Sequence, residues 1–382
     1  MNILITSPRA PIVLEWIRIA ERGGHQIALC DSLRFPLARF SRTPVQYHQI
    51  PAPRLDFSGY QKAILPLIEW ADWVIPTCED IFYLAQLPLN ETQRQKCFMP
   101  DNTLLFGLHH KIEVYQHLPQ TEHIRFPASR LITEISDVEY DTAAQKTVLK
   151  PIFSRFGRSV IRGVTPENTQ GLSISTEYPW VQQQFIEGQA LCNYAVCVHG
   201  KVVGHSIYRP RYLLNQSAST YFEPVEDARI QAFIHAFAAQ TGYHGQVAFD
   251  FIDDSCDLWV LECNPRATSG LHLLGDALEI NTSGQLCAIN YQSVSSQPMR
   301  AGKLLPLLFG WEAFKKGEWQ TLMADYRRAK DVTASLPSYA AWLALGEMCY
   351  RQWRYHKPLT SASTFDIEFD GCQDDHTKHS TV

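Results

Sequence analysis

The sequence predicts an α/β lobe, then a larger α+β region, then a helical C-terminal segment. Three observations carry this division. The first hundred residues alternate strand and helix patterns, the chain after residue 105 runs through strands joined by short turns, and residues 303–355 place Trp, Leu, Ala and Lys at helical spacing.

In the first part, NILIT (2–6) reads as a buried strand and PIVLEWIRIAERG (11–23) as an amphipathic helix stopped by Gly23-Gly24. HQIALCD (25–31) is a second strand closing on an acid. LDFSGYQKAILPLIEW (55–70) is a second helix, and ADWVIPT (71–77) is another short buried strand. That rhythm predicts a parallel sheet with crossover helices. The glycine pair follows the helix instead of joining strand to helix, so no dinucleotide fingerprint is present, and on these residues alone the lobe is structural.

Beyond residue 105 the texture changes. HHKIEVYQHL (109–118) reads as a short helix, followed by an extended segment with Pro127, then the strand TVLKP (147–151) and a polar, glycine-bearing loop. WVQQQFI (180–186) is a strand, and NYAVCVHGKVVGHSIY (193–208) a hairpin turning at His199-Gly200. A helix at about 226–241 precedes GQVAFDFI (245–252) and DLWVLECN (257–264). The end, 371–382, is polar and expected to fray. The chain shows no internal repeat and no low-complexity tract.

With 382 residues the chain is long enough for two or three lobes, and 45% apolar with 19% charged residues is a globular composition. Its net charge of −5, with acids and bases interspersed, gives no footprint for nucleic acid. The longest apolar stretches, such as LLPLLFGW (304–311), fall far below the roughly 20 residues that span a bilayer. The opening MNILITSPRAPIVLEW reads as a strand, not as a signal peptide, so a cytoplasmic location and no membrane partner are expected. Ten cysteines form no CxxC pair and are read as reduced, mostly buried thiols. No HxxxH or HExxH pattern occurs, and His109-His110 is read as helix surface.

AFDFI-DDSCD-LWVLECNPR carries the sharpest chemistry. Side chains alternate along a strand, so Glu262 and Asn264 point one way with Val260 and Leu258 behind them, and Asp250 shares a face with Ala248 and Ile252. A turn at Asp253-Asp254-Ser255 folds the two strands into a hairpin and converges three oxygen-bearing side chains. Mg²⁺ takes such oxygens, commonly one or two carboxylates with phosphate oxygens. Two buried like charges need such compensation. On spacing alone, a metal site and a structural bridge to a nearby Arg fit equally.

GQVAFDFI…WVLECNPRATSGLH resembles the metal-binding strands of ATP-grasp ligases, whose signature is an acid followed about a dozen residues later by E-x-N-P-R. The resemblance implies that Asp250, Glu262 and Asn264 hold one or two Mg²⁺, with Mn²⁺ as a substitute. It also implies that Arg266 faces the phosphates or the reacting carboxyl, and that Ser269 and Gly270 offer donors to the substrate. It covers roughly residues 1–300. The implied fold is a Rossmann-like pre-ATP-grasp α/β lobe (1–105), a two-part ATP-grasp domain with antiparallel sheets (106–300, lid about 125–188) and a C-terminal helical cap and tail (301–382). The grasp fold is similar to those of the carbamoyl-phosphate synthase large chain and D-alanine–D-alanine ligase.

Lys150 ends an apolar strand ahead of the loop IFSRFGRSV. Its local sequence fits a surface lysine in a turn better than a phosphate ligand, and no GxxxxGK[ST] is present. TVLKP with its following loop nevertheless resembles the ATP-grasp lid, where Lys150 matches the lysine on the nucleotide phosphates and Lys111 the earlier basic residue. Ser154, Arg155, Gly157 and Arg158 are the loop's candidate phosphate contacts, glycine allowing close backbone approach. Lys111 also fits a solvent-facing helix position. WVQQQFIEG (180–188) resembles the hinge against which adenine stacks, with Gln183, Gln184, Phe185 and Ile186 nearest the base. Many relatives carry acids at the two glutamines. They also often carry a ribose-binding Glu where this chain reads Gln189-Ala190-Leu191, with Glu187 as the available substitute.

His205, Arg209 and Arg211 follow a strand and are candidates for gripping an acidic or amino-acid substrate. A solvated basic loop fits them equally. The resemblance implies an ATP-dependent ligase that activates a carboxylate as an acyl phosphate, releases ADP, and passes the acyl group to a nucleophile. The commonest acceptor is an amine. Catalysis would be positioning and electrostatics by Lys150, Lys111, Arg266 and Mg²⁺, with no general base evident. Small-molecule carboxylate and amine substrates are the expected partners. Thiol or carboxylation chemistry, and a nucleotide-binding module without turnover, are the alternatives. The helical end either covers the site or forms a homodimer surface.

Overall fold

In a computed structural model of the protein, residues 1–141, 146–153, 160–214, 218–289 and 294–371 are described. Apolar strands and amphipathic crossovers build the first lobe: β1 (Asn2–Thr6), α1 (Val13–Arg22), β2 (Gln26–Asp31), β3 (Gln46–Gln49), α2 (Phe57–Trp70) and β4 (Trp73–Pro76). The sheet runs β3-β2-β1-β4 and every pairing is parallel. β3 is a polar, half-exposed edge strand, QYHQ, which is why no apolar run announces it. α1 buries Val13, Trp16 and Ile17 in one core with Tyr194, Leu271 and Leu278 of the later region, so the lobes share an interior.

α3 (Asp80–Ala85), α4 (Glu91–Gln95) and α5 (Asn102–His109) lead out of the lobe. The helix expected at 109–118 is displaced. Asp101 caps α5 by accepting the Leu104 N–H at 3.0 Å, the helix ends at His109 with extended backbone at His110, and only a 3₁₀ turn follows at Glu113–His117. β5 (Ile124–Arg125) precedes a small antiparallel sheet of β6 (Ser129–Ile132), β7 (Thr147–Pro151), β8 (Ile161–Arg162) and, after α6 (Pro166–Thr169), β9 (Trp180–Gln184), in the order β6-β9-β7-β8.

The large sheet follows. β10 (Gln189–Val198) and β11 (Lys201–Leu214) turn at His199-Gly200, both with positive φ, as a two-residue hairpin turn requires. β12 (Ala218–Pro224), α7 (Ala228–Thr241), β13 (Gly245–Asp253) and β14 (Leu258–Asn264) continue it. After the hairpin β15 (Leu278–Ile280) and β16 (Leu286–Ala288) come β17 (Met299–Arg300), α8 (Leu305–Lys315), α9 (Trp319–Arg328), β18 (Lys330–Asp331), α10 (Ser338–Tyr355) and α11 (Leu359–Ala362). The end is therefore not purely helical: β18 returns to pair with β17 at the edge of the sheet ordered β18-β17-β12-β11-β10-β13-β14-β5. Residues 363–371 then cross back as a strap over the first lobe, with Phe369 packed on Phe82, Phe106 and His109. Among the described residues no helix is long and apolar enough to cross a membrane.

Candidate functional site

The site begins with a register. Asp250 pairs with Glu262 and Ala248 with Asn264, but the next pair toward the turn is Phe251 with Val260. Leu261 is thus an inserted residue, and this β-bulge changes which face the strand presents. Strict alternation would put Val260 and Leu258 behind Glu262. They instead enter the core beside Phe249 and Phe251, on the opposite face. The bulge lets one strand feed that core and still set Glu262 and Asn264 beside Asp250.

Around this carboxylate pair stand three basic side chains from separate elements. Lys111, just past α5, is 4% exposed and donates to the Ile152 carbonyl at 3.3 Å. Lys150 on β7 is 6% exposed and donates to Gln183 Oε1 at 3.0 Å. Neither lysine is a surface group. Arg266 donates to Asn264 Oδ1 at 2.8 Å and lies 3.7 Å from Glu79 Oε1. Leu108, His109, Lys111, Glu262, Asn264 and Arg266 line one cleft between α5 and β14.

The charges act on one another. Burial pushes the Asp250 carboxyl up, and the facing Glu262 charge pushes it further. Glu262 is held below the usual range because Lys111 and Lys150 outweigh its burial. Burial brings Lys111 down to about 8, opposed by Glu262, and lowers Lys150 in the same way. Two facing carboxylates, one lifted by the other, with an adjacent amide oxygen, form a hard-oxygen donor set that suits Mg²⁺. Asn264 meanwhile donates to Asp250 Oδ2 at 3.3 Å, and its own oxygen is engaged by Arg266.

The remaining expected residues divide. Gln183 is buried on β9, its Nε2 donating to Tyr115 at 2.9 Å and Ser129 at 3.0 Å, so its amide is committed behind Lys150. Gln184 is exposed, its Oε1 accepting the Ala128 N–H at 3.4 Å, while the Phe185 N–H is donated to the Lys146 carbonyl at 2.8 Å. Ile186 is half-buried beside it, and Glu187 is exposed. Ser154, Gly157, Arg155 and Arg158 lie outside the described residues.

Arg209 and Arg211 do not enter a loop: both stand within β11. Arg209 binds Glu223 at 3.2 Å and Gln189 at 3.1 Å, and Arg211 binds Asp325 of α9 at 2.8 Å. These internal partners occupy the guanidinium groups expected to grip a substrate. His205, also on β11, shares a 3.2 Å hydrogen bond with Asn193, and burial lowers it to about 3. Gly270 is buried where a Cβ would meet Tyr194 and Ser206, its carbonyl accepting from Ser206 at 2.8 Å, with Ser269 beside it in a 3₁₀ turn.

His109 is not helix surface. It is 9% exposed, stacked on Phe82 at 4.3 Å, and held neutral by burial and by Lys111. Sequence reading also passed over Tyr115, Ser129 and Glu79. Only their tertiary placement joins them to the site, although an acid directly after a strand's carboxyl end, as at Glu79, is a signal that could have been weighed.

Residues 108–270 match the family model of an ATP-grasp domain. No curated protein matches the sequence. Among solved structures, the chain is similar to an L-amino acid ligase from Bacillus licheniformis, with 14% identity and a TM-score of 0.53 over 78% of this chain and 75% of that one. It is also similar to N5-carboxyaminoimidazole synthetase from Staphylococcus aureus complexed with ADP, with 13% identity and a TM-score of 0.56 over 82% and 86% of the two chains. The carboxyaminoimidazole ribonucleotide synthase from Aspergillus clavatus complexed with ATP gives 15% identity and a TM-score of 0.55 over 82% and 85%.

Proposed function

Taking as premise that the chain carries an ATP-grasp fold, we propose that it is an ATP-dependent ligase that activates a carboxylate as an acyl phosphate and joins it to an amine. The observation that carries this reading is the pairing of Asp250 and Glu262 in register, facing the buried Lys111 and Lys150.

Asp250, Glu262 and the Asn264 oxygen would hold Mg²⁺, whose charge would neutralise phosphate oxygens. Lys150 and Lys111 bring positive charge to the nucleotide side, and Gln183 with Tyr115 and Ser129 fixes the Lys150 ammonium in place. Arg266, reaching from Asn264 toward Glu79, lies between this site and the first lobe and would orient the acid whose oxygen attacks the γ-phosphate. That attack breaks the bond from the γ-phosphorus to its bridging oxygen and releases ADP; the amine nitrogen then takes the acyl group, losing a proton, and phosphate leaves. The half-buried Phe185 and Ile186 after β9 supply the apolar slot for adenine. Gly270, Arg209 and Arg211 have weaker claims on substrate because their neighbours already engage them, and Ser269 stands beside Gly270 in the 3₁₀ turn.

The test measures ADP and phosphate release across a panel of acids, bicarbonate included, with amines and thiols as acceptors. Amine-dependent release of both products is expected. Thiol- or bicarbonate-dependent release would redirect the chemistry to another acceptor or to carboxylation. Mg-ATP binding without turnover for any pair would make the protein a nucleotide-binding module.

A further inference from the structure

Beyond Glu79 from the candidate phosphate site, a small pocket with buried walls sits at the carboxyl ends of β1, β2 and the β4–α3 junction. Thr6, Ser7, Asp31, Tyr60 and Asp80 line it together with Ile367 of the C-terminal strap. Its free space holds about one water-sized group. This end of the sheet is its topological switch point, since the chain leaves β1 to one side for β2 and later returns on the other side as β4.

Two oxygens buried in this pocket have no hydrogen-bond partner among the described residues: Asp80 Oδ1 and the Tyr60 hydroxyl, on residues 3% and 2% exposed. Orphaned buried polar atoms are rare, and two facing one small space call for a ligand that donates to both. Asp80 Oδ2 accepts from the Thr6 hydroxyl, and among the described residues no basic side chain lines the pocket. The nearby Arg9 guanidinium is already committed, at 2.6 Å each, to Asp31 and to Asp366 of the strap. Burial lifts the Asp80 carboxyl against the Thr6 and Ser7 hydroxyls, and the Asp31 charge adds to the rise. A water would suffice for a protonated carboxyl, but beside the ionised form it would leave a buried charge offset only by the more distant Arg9. An ammonium group meets both needs, with several N–H donors and a positive charge in the volume of a water.

The strap is held over this pocket by a latch. Asp366 binds Arg9 at 2.6 Å and Arg351 at 2.5 Å and accepts from the Ser32 hydroxyl, while Phe369 donates its N–H to Glu79 at 3.3 Å. Glu79 in turn faces Arg266. The lid of the pocket is thus tied to the residue between the two sites.

We propose that this pocket binds the ammonium group of a small amine, received by Asp80 and Tyr60, and that the strap from Ser363 to Phe369 is its lid. Binding stands by itself. That the bound amine is the acceptor in ligation rests on the function proposed above, and identifies that acceptor as a primary amine or ammonia entering from the first lobe.

The experiment titrates the full chain with ammonium, methylamine and tetramethylammonium chlorides at constant ionic strength by calorimetry. Saturable binding of ammonium or methylamine, and none of tetramethylammonium, is expected. Preference between the first two reports whether free ammonium or an alkylamine is the ligand. Asp80→Asn should weaken binding at least about tenfold and Tyr60→Phe about threefold, each losing one partner of the ammonium group. No binding to the unaltered chain, equal binding of tetramethylammonium, or unchanged affinity in Asp80→Asn overturns the site. If Asp80→Asn gives no folded protein by its melting transition, Tyr60→Phe decides, because it deletes a hydroxyl that has no partner among the described residues. Asp366→Asn should speed both hydrogen exchange over 363–369 and amine association. Faster exchange with unchanged association overturns the lid. Amine binding without ADP release from any acid–amine pair leaves the pocket standing and removes the ligase reading. Amine-dependent ADP release that survives Asp80→Asn unchanged does the reverse.

Discussion

The charge cluster at Arg9 and the one at Glu262 are built from similar groups and reach opposite balances. At Arg9, two guanidiniums and two carboxylates close on one another: Arg9 takes Asp31 and Asp366 at 2.6 Å, and Arg351 takes Asp366 at 2.5 Å. At Glu262, two carboxylates face each other across a strand pair, while Lys150 rests on a neutral amide and Lys111 on a backbone carbonyl. A buried cluster that satisfies itself fixes the chain, here the strap to the first lobe. A buried cluster whose like charges stand together invites completion from outside, and on the function proposed above a metal with phosphates would complete this one.

The largest effect that tests this contrast is on stability. Arg9→Ala leaves Asp31 and Asp366 buried without their shared partner and should cost about 3–5 kcal/mol in denaturant unfolding. The contrast fails if the loss is under about 1 kcal/mol, or if Mg-ATP affinity falls along with it. At the other cluster the loss should be smaller. Glu262→Gln relieves Asp250 of a facing charge but also removes the charge that offsets the buried Lys111 and Lys150, so the fold should lose less than in Arg9→Ala. The Mg²⁺-dependent gain in ATP affinity should nevertheless drop more than about 100-fold, since even the outer partners of metal ligands are worth about 10–100-fold. Titrating ATP with and without Mg²⁺ reads this directly.

A smaller effect follows from acid. The Arg9 and Arg351 charges outweigh burial and hold Asp366 down at about 2. Its unfolded value is about 3.9, so its contribution is complete above roughly pH 4 and lost as pH falls toward 2, about 2–3 kcal/mol in all. Acid unfolding should therefore begin with the strap, seen as hydrogen exchange over 363–369. In Asp366→Asn that part of the pH dependence should be absent.

Much of the frame of both clusters was legible, and the reasons differ. β1, α1, β2 and the hairpin at His199-Gly200 follow from apolar periodicity and turn chemistry, which are local. The convergence of Asp250, Glu262 and Asn264 was legible because a strand pair sets neighbours by register. The face of Val260 was not, since nothing local marks Leu261 as the inserted residue. The burial of Lys111 and Lys150 depends on α5, β7 and β14 meeting, and the Arg9 latch spans 357 residues of sequence. Such long-range pairs leave no periodic trace. β3 escaped because a polar edge strand looks like a loop, and 109–118 misled because its apolar spacing continued past the true end of α5.

The smallest effect sharpens the comparison most, because it alters the open cluster without removing any of its ions. Gln183 Oε1 accepts from Lys150 at 3.0 Å, and its Nε2 donates to the hydroxyls of Tyr115 and Ser129. In Gln183→Glu the two hydroxyls would have to turn from the Leu261 and Pro127 carbonyls, to which they donate at 3.3 and 2.9 Å, in order to donate to the new carboxylate. Lys150 then gains a counter-ion, and this half of the site comes to resemble the self-satisfied latch at Arg9. The gained ion pair offsets the two carbonyl contacts given up, so stability should change little, but the lysine would have to share its charge between the introduced carboxylate and the phosphates. Mg-ATP affinity should fall about 3–10-fold, roughly 1 kcal/mol. Unchanged or tighter binding would mean that Lys150 does not face the nucleotide and that the Glu262 cluster is closed by other means. A parallel fall in the melting temperature would mean that Gln183 serves packing more than the lysine.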